Sequence, residues 1–437
     1  MKRSIDNYLL EWKENPLRKV LLLRGARQVG KTYSVRELGK TFSHFLEINF
    51  DEKPAMKDLF TQSLGVEQII ERLSIITEVP IISNQTLLFL DEIQECPQAL
   101  SLLRYFQEKL PTLHVIAAGS LLEFALSEIP SMGVGRLHSL FMYPLCFTEY
   151  LVASGHEQLQ IAINNQDMST PIDPLIHQTL LEKLRIFMLI GGMPGIVNHY
   201  LLTHDILQCQ TLLQDIVISY EDDFAKYKKK VPVARLREVF KAVIFQGGQK
   251  FSYSQIESDS YHKALKEALD LLILAGLVYK IPYSSCQGIP LGATTNPKHF
   301  KVLPFDLGIA QRVLGVDLSI IVLQPQPKLV NIGALSEVYA GLELINSQVG
   351  NTRPELYFWH REARGSHAEV DFVISGLNGI IPIEVKAGTK GQMQSMYLFL
   401  KEKGLSKGIR LSQENFSQYD LIQVAPLYAA SRCWTIY

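Results

Sequence analysis

The sequence contains no run of about twenty apolar residues, the length that spans a bilayer core. Its opening, MKRSIDNYLLEWKENP, also lacks the apolar centre of a secretion signal. Both absences predict a cytoplasmic protein that makes no use of a membrane. Cysteine is sparse: Cys96, Cys146, Cys209, Cys286 and Cys433 are odd in number and scattered. They show none of the short paired spacing of a zinc knuckle or a disulfide framework, and fit small core residues in a reducing compartment. A charge surplus is missing as well. The 43 Lys and Arg against 44 Asp and Glu leave a net charge of -1. That excludes a globally basic nucleic-acid binder and confines any such contact to local patches.

What is present describes a globular chain. Hydrophobic residues make up 47% and charged residues 20% of 437 positions, a length that predicts about two to four domains.

The sharpest local pattern is VLLLRGARQVGKTY. An apolar run from Val20 to Leu23 leads into Gly25, Ala26, Arg27, Gln28, Val29, Gly30, Lys31, Thr32 and Tyr33, which carry the spacing G-x-x-x-x-G-K-T. A buried strand before it and a helical pattern after it complete the context of a phosphate-binding loop. Glycines let the backbone turn so that N–H groups and a helix N-terminus face phosphate oxygens. Lys31 adds a point charge for the terminal phosphates, and the Thr32 hydroxyl can ligate Mg²⁺. ATP and Mg²⁺ are the expected cofactors.

TLLFLDEIQECP reads as a strand buried on both faces, with Asp91 and Glu92 at its C-terminal end. Asp91 is expected on the metal side and Glu92 as the group that orients or activates the attacking water; the plainer alternative is an acidic strand end. The next strand, LHVIAAGS, ends at Ser120. Ser120 has two readings: a polar contact near the γ-phosphate, or a capping box with Glu123. Arg136 is a candidate arginine finger, for its own chain or a neighbour.

Together GARQVGKT, LFLDEIQ, AAGS, GR…YPLCFTEYL and GGMPGIV resemble the bacterial and archaeal AAA-type ATPases with a C-terminal domain of unknown function. The resemblance covers nearly the whole chain. It implies an ASCE-type P-loop core with a parallel sheet, and a catalytic Glu92 beside Asp91.

Residues 151–230 are helical in pattern and read as a lid or connector. A basic run, KYKKK at 226–230, precedes two helical stretches and then two β-like pieces, GLVYKIPY and KHFKVLPFD. That order fits a winged helix-turn-helix, which the resembled family carries here, with Lys263 and Lys266 on its exposed side. Such units serve either as nucleic-acid readers or as packing modules between domains.

The last segment contains EVDFVISGLNGIIPIEVK. With a turn between Leu377 and Asn378, residues whose numbers sum to 755 face one another. One face is then apolar, and the other sets Asp371 opposite Glu384 and Glu369 opposite Lys386. Like charges across a ladder are destabilising by about 0.2–1 kcal/mol, and a hard cation would relieve them. Pro382 suggests an edge or bulged position. The D…E-x-K arrangement resembles the PD-(D/E)XK nuclease superfamily. That resemblance implies a restriction-endonuclease-like α/β domain, metal binding by Glu337, Asp371 and Glu384, and catalysis by Lys386. His360 and Arg361 fall near the mouth of such a site.

The expected organisation is therefore α/β: an ATPase domain over 1–150, a helical lid over 151–230, a winged-helix domain over 231–315 and a nuclease-like domain over 316–437. The leading functional expectation is an ATPase whose cycle drives or gates nuclease-like chemistry on nucleic acid. The alternative is a regulatory switch with an inactive nuclease-like domain; a small-molecule kinase fits less well, since no acceptor pocket is evident. Oligomeric state has no signature in the sequence.

Overall fold

The computed structural model describes residues 1–128, 135–227, 231–256, 262–316, 332–362, 368–376, 379–388 and 391–435. The chain forms two compact units, Met1–Tyr143 with Val349–Arg353, and Pro144–Gln348 with Pro354–Tyr437. No helix among the described residues is long and apolar enough to cross a membrane.

The first unit is built on strands β1 (Val20–Arg24), β2 (His44–Asn49), β3 (Thr86–Asp91), β4 (His114–Ala118) and β5 (Leu137–Phe141). They lie in the order β2-β3-β4-β1-β5 and every pairing is parallel. Strands covered on both faces read as continuous apolar runs, and Leu21, Leu23 and Leu87 to Leu90 are fully buried. Helices Val66–Thr77 and Pro97–Lys109 bury Ile69, Leu73, Leu100, Leu103 and Phe106 against Leu22, Leu88 and Leu90. Each such side chain contributes about 1.5–3 kcal/mol through burial. Because β1, β4 and β3 are parallel neighbours, the loops that leave them emerge at one edge of the sheet.

The second unit begins with helices Phe147–Ala153, Glu157–Asn165, Pro174–Ile190, Pro194–Thr203 and Ile206–Asp223, as the helical pattern predicts. Helices Val233–Phe245 and His262–Leu274 follow, then β6 (Val278–Ser284) and β7 (Thr295–Pro304), an antiparallel pair. After helix Ile332–Asn346 come β8 (Tyr357–His360), β9 (Glu369–Gly376), β10 (Gly379–Val385), β11 (Gly408–Ser412), β12 (Ser417–Tyr419) and β13 (Ile422–Pro426).

These strands make one eight-stranded sheet, ordered β12-β13-β11-β10-β9-β8-β6-β7. The wing expected at β6 and β7 is thus continuous with the sheet expected of the nuclease-like segment, joined where Tyr283 pairs in parallel with Phe358. Sequence patterning shows each strand but not which sheet it joins.

The β9–β10 register agrees with the sum rule: Gly379↔Gly376, Ile381↔Ile374 and Ile383↔Phe372. Pro382 faces Val373 in register, on a strand flanked by β9 and β11, so neither the edge nor the bulge expected of it occurs. The expected turn residues Leu377 and Asn378 lie outside the described residues, as do Lys228, Lys229 and Lys230 of the basic run.

Candidate functional site

The loop after β1 has the backbone that its glycines predict. Gly25 sits at φ 145° with the Met142 carbonyl 2.1 Å from where a Cβ would stand, so no side chain fits there. Gly30, at φ 100°, caps the helix Lys31–Gly39, whose N-terminus faces the loop. Ala26 and Val29 are buried props. Gln28 is exposed at φ 63°, and Tyr33 is exposed and accepts a hydrogen bond from the Met1 ammonium at 2.7 Å. Gln28 and Tyr33 are the exposed members of the expected loop set.

Lys31 is buried and donates to the carbonyls of Gly25 at 2.9 Å and Ala26 at 2.7 Å. Burial pushes its ammonium down to about 8, against the pull of Glu92 and Asp91. Thr32 Oγ1 donates to Asp91 Oδ2 at 2.9 Å, and the Glu92 N–H donates to Asp91 Oδ1 at 3.0 Å. Burial lifts the Asp91 carboxyl to about 6, with the Thr32 hydrogen bond opposing. A buried carboxylate beside a hydroxyl and a helix N-terminus is the donor set that a phosphate-bound Mg²⁺ takes.

Glu92 adopts a left-handed backbone, φ 48° and ψ 45°, uncommon outside glycine and concentrated at functional sites. Its Oε2 accepts from Gln94 Nε2 at 2.6 Å, and lies 3.4 Å from Ser120 Oγ and 3.5 Å from the Ser120 N–H. A Cβ at Gly119 would stand 2.0 Å from Gln94 Oε1, so a side chain there would push the Gln94 amide aside. Ser120 therefore meets Glu92, while the Glu123 carboxylate, expected to turn back onto the cap, is held by Arg24 and by Arg353 at 2.9 Å.

Arg136 is elsewhere. It precedes Leu137, which pairs with Val20 at the start of β1, so it lies at the edge opposite the loop. A five-residue strand, about 13 Å long, separates the two edges. Arg136 pairs with the Glu108 carboxylate at the end of the helix Pro97–Lys109. A finger supplied by Arg136 to its own chain is excluded by that placement.

The second constellation expected from sequence also assembles, with an unforeseen member. Lys301, from β7, is 1% exposed, and its Nζ lies 2.7 Å from Glu337 Oε1, 2.7 Å from Glu369 Oε1 and 3.6 Å from Asp371 Oδ1. Lys250 joins Glu369 Oε2 at 3.3 Å. Burial alone would lower the Lys301 ammonium, but Glu337, Asp371 and Glu369 outweigh it and hold it well above its ordinary value. Glu369 stays below the usual carboxyl range: burial pushes it up, and Lys301 and Lys250 pull it further down.

Asp371 and Glu384 are near one another but not bonded across the ladder, whose last pair is Ile383↔Phe372. Asp371 Oδ2 accepts the Val385 N–H at 2.8 Å. Glu384 is buried, its Oε1 accepts from Lys386 Nζ at 2.7 Å, and its Oε2 has no partner. Burial first, and then Asp371, push Glu384 up to about 7.

Ammonium groups of the chain stand beside both carboxylates, Lys301 by Asp371 and Lys386 by Glu384. Glu369 pairs with Lys301 and Lys250, not with Lys386 as the extrapolated register suggested. The ligand atoms of Glu337, Asp371 and Glu384 do not all lie within 4.8 Å of one another, which His299, His360 and Glu362 alone achieve among the described residues. The orphaned Glu384 oxygen remains the one feature of the cluster that fits a cation. Lys263 and Lys266 are exposed on the helix His262–Leu274.

Comparison with known proteins accords with the first site. Residues 17–151 match the family described as AAA domain. This segment is therefore similar to the AAA domains of P-loop ATPases. Residues 181–319 and 332–430 match two families described as domains of unknown function, DUF8612 and DUF4143. No curated protein matches the chain. Among solved structures, the Walker-type ATPase PABY2304 of Pyrococcus abyssi is 16% identical with a TM-score of 0.44, over 72% of this chain and 95% of that one. The Aeropyrum pernix ORC1 protein in complex with DNA is 13% identical with a TM-score of 0.30, over 74% of this chain and 95% of that one.

Proposed function

We propose that the chain hydrolyses ATP at the loop after β1, and that the nucleotide cycle drives or gates the C-terminal sheet domain, which acts on nucleic acid. The observation that carries the first half is the contact of Thr32 with Asp91 at 2.9 Å beside a buried Lys31. Loop N–H groups and the helix N-terminus bind the phosphates, and Lys31 leaves its carbonyl partners to neutralise the terminal ones. Thr32 and Asp91 would hold Mg²⁺, which would offset the negative charge on the β- and γ-phosphates. Glu92 accepts the hydrogen bond of the attacking water, held in place by Gln94 and Ser120. Lys31→Ala should abolish binding and lower phosphate release by at least about 100-fold; a variant that hydrolyses ATP like the parent would overturn this reading.

For the second half, Asp371 and Glu384 would hold the metal, joined by Glu337 on its release from Lys301, and Lys386 would be the catalytic lysine. The two helices and the β6–β7 hairpin act as a winged helix, with Lys263 and Lys266 available to phosphates. The unpartnered Glu384 Oε2 supports a cation at this end of β10. The test is cleavage of single-stranded, duplex and structured DNA and RNA with Mg²⁺ or Mn²⁺, with and without ATP, and with Glu384→Gln as the control. Uncut substrates throughout would remove the nuclease.

One observation favours a second reading, in which the domain binds and switches without cutting. Lys301 already neutralises Glu337, Glu369 and Asp371 from a buried position. On that reading Asp371→Ala and Glu384→Ala keep activity in cells while Lys31→Ala loses it.

A further inference from the structure

His299, on β7, and His360, the last residue of β8, stand on strands separated in the sheet by β6, yet His299 Nδ1 and His360 Nε2 are 3.1 Å apart. Glu362 brings a carboxylate oxygen within 4.8 Å of both nitrogens, and no other trio of His, Cys, Asp or Glu among the described residues does this. We propose that His299, His360 and Glu362 form a binding site for a borderline transition-metal dication of the Zn²⁺ class.

The spacing is that of ligands on one ion. Zn–N bonds of about 2.0–2.1 Å at the tetrahedral angle set two imidazole nitrogens about 3.3 Å apart, and the observed separation needs only a small opening. A neutral imidazole offers its lone pair to an ion when its proton sits on the other nitrogen, so the ring that donates in the His299–His360 hydrogen bond changes tautomer on binding.

The neighbours are those of a supported site. Tyr283 of β6 packs against both rings, its centroid 4.6 Å from His360 and 6.2 Å from His299, and it hydrogen-bonds Glu362. The Arg361 backbone hydrogen-bonds the His360 ring. Such outer contacts fix ligand orientation and strengthen metal binding. Two imidazoles and one carboxylate suit Zn²⁺, Co²⁺ or Ni²⁺ and discriminate against Mg²⁺. The site is therefore chemically distinct from the hard-cation sites at Asp91 and at Asp371 with Glu384. It adjoins the second of these, because His360 pairs across the ladder with Glu369. A dication there adds positive charge beside the Lys301 cluster.

The test is titration of chelator-treated full-length protein with Zn²⁺ by calorimetry, and with Co²⁺ by its visible ligand-field spectrum. The expected result is one tight site per chain that depends on the two histidines, apart from weaker uptake by the carboxylates of the other two sites. His299→Ala and His360→Ala should each weaken binding by at least about 10–100-fold, as loss of a supporting contact alone does. Glu384→Gln and Thr32→Ala should leave it unchanged. Circular dichroism verifies folding, and the exposed His299→Gln serves if His360→Ala fails to fold. Parent protein that takes up neither ion, histidine variants that bind like the parent, or uptake lost in Glu384→Gln would each overturn the proposal.

Discussion

At the ends of β1 and β3, Asp91 is addressed by a hydroxyl and a backbone N–H, and Glu92 by an amide and a serine, while the nearby Lys31 donates to carbonyl oxygens. At β9 and β10 the carboxylates are addressed by lysines: Lys301 on Glu337 and Glu369, Lys386 on Glu384. Both sites gather acidic residues at or near strand ends with a lysine close by in space. Neutral donors leave the ionic valence of the first site for a ligand and its metal. Ammonium groups consume most of that valence in the second. Motif spacing is blind to this difference, since it records which groups converge and not which of them already hold each other.

The largest effect expected is on the first site. Glu92→Gln keeps the shape of the side chain and removes the base, so ATP binding should persist while turnover falls by about 10²–10⁴-fold. Nucleotide affinity and steady-state phosphate release measure the two separately. A variant with both unchanged would make Glu92 an acidic strand end and erase the contrast.

Next is Lys301→Met, which removes the buried ammonium shared by Glu337, Glu369 and Asp371. Removing one partner of a buried ion pair costs about 3–5 kcal/mol, read as a fall in the melting temperature of the C-terminal unit. The same melt with Mg²⁺ or Mn²⁺ added sharpens the comparison. Recovery by the dication would mean that the cluster accepts a metal where the ammonium sat; no recovery supports a lysine-closed site.

Glu384→Gln should act more gently and with the opposite sign. The folded carboxyl titrates near 7 against an ordinary 4.5. Between those values the folded state binds more protons than the unfolded one, and stability falls as pH rises. The glutamine variant escapes that loss. It should be the more stable protein at pH 8 by about 1–3 kcal/mol, with the difference closing toward pH 4.5. Urea unfolding at several pH values checks it, and a parent as stable as the variant at pH 8 would show that Glu384 is not under strain.

Much of this was legible in the sequence where a short segment carried its own constraint. The P-loop, the buried strand ending in Asp91 and the β9–β10 register are local: a turn, a period of two, a glycine spacing. Lys301 was not legible, because its partners Glu337, Glu369 and Asp371 come from other elements, and a lysine in KHFKVLP looks like any solvated strand lysine. Its burial follows from β7 joining the far sheet through β6, a pairing that no local pattern encodes. Arg136 as a finger for its own chain was not decidable from sequence for a related reason, since only the parallel pairing of β5 with β1 sets it at the edge away from the loop.

The smallest effect expected is at Ser120, where both readings from the sequence can be weighed. Its hydroxyl is 3.4 Å from Glu92 Oε2, against 2.6 Å for Gln94, so it is the weaker of two props. Ser120→Ala should therefore reduce turnover by less than about tenfold, with Gln94→Ala costing more. A capping role would look different: loss of a serine N-cap costs about 1 kcal/mol of stability and leaves chemistry alone. The reciprocal half of a capping box is already spent, because Arg24 and Arg353 hold Glu123. A fall in kcat at an unchanged melting temperature assigns Ser120 to Glu92; a lower melting temperature at an unchanged kcat returns it to the helix.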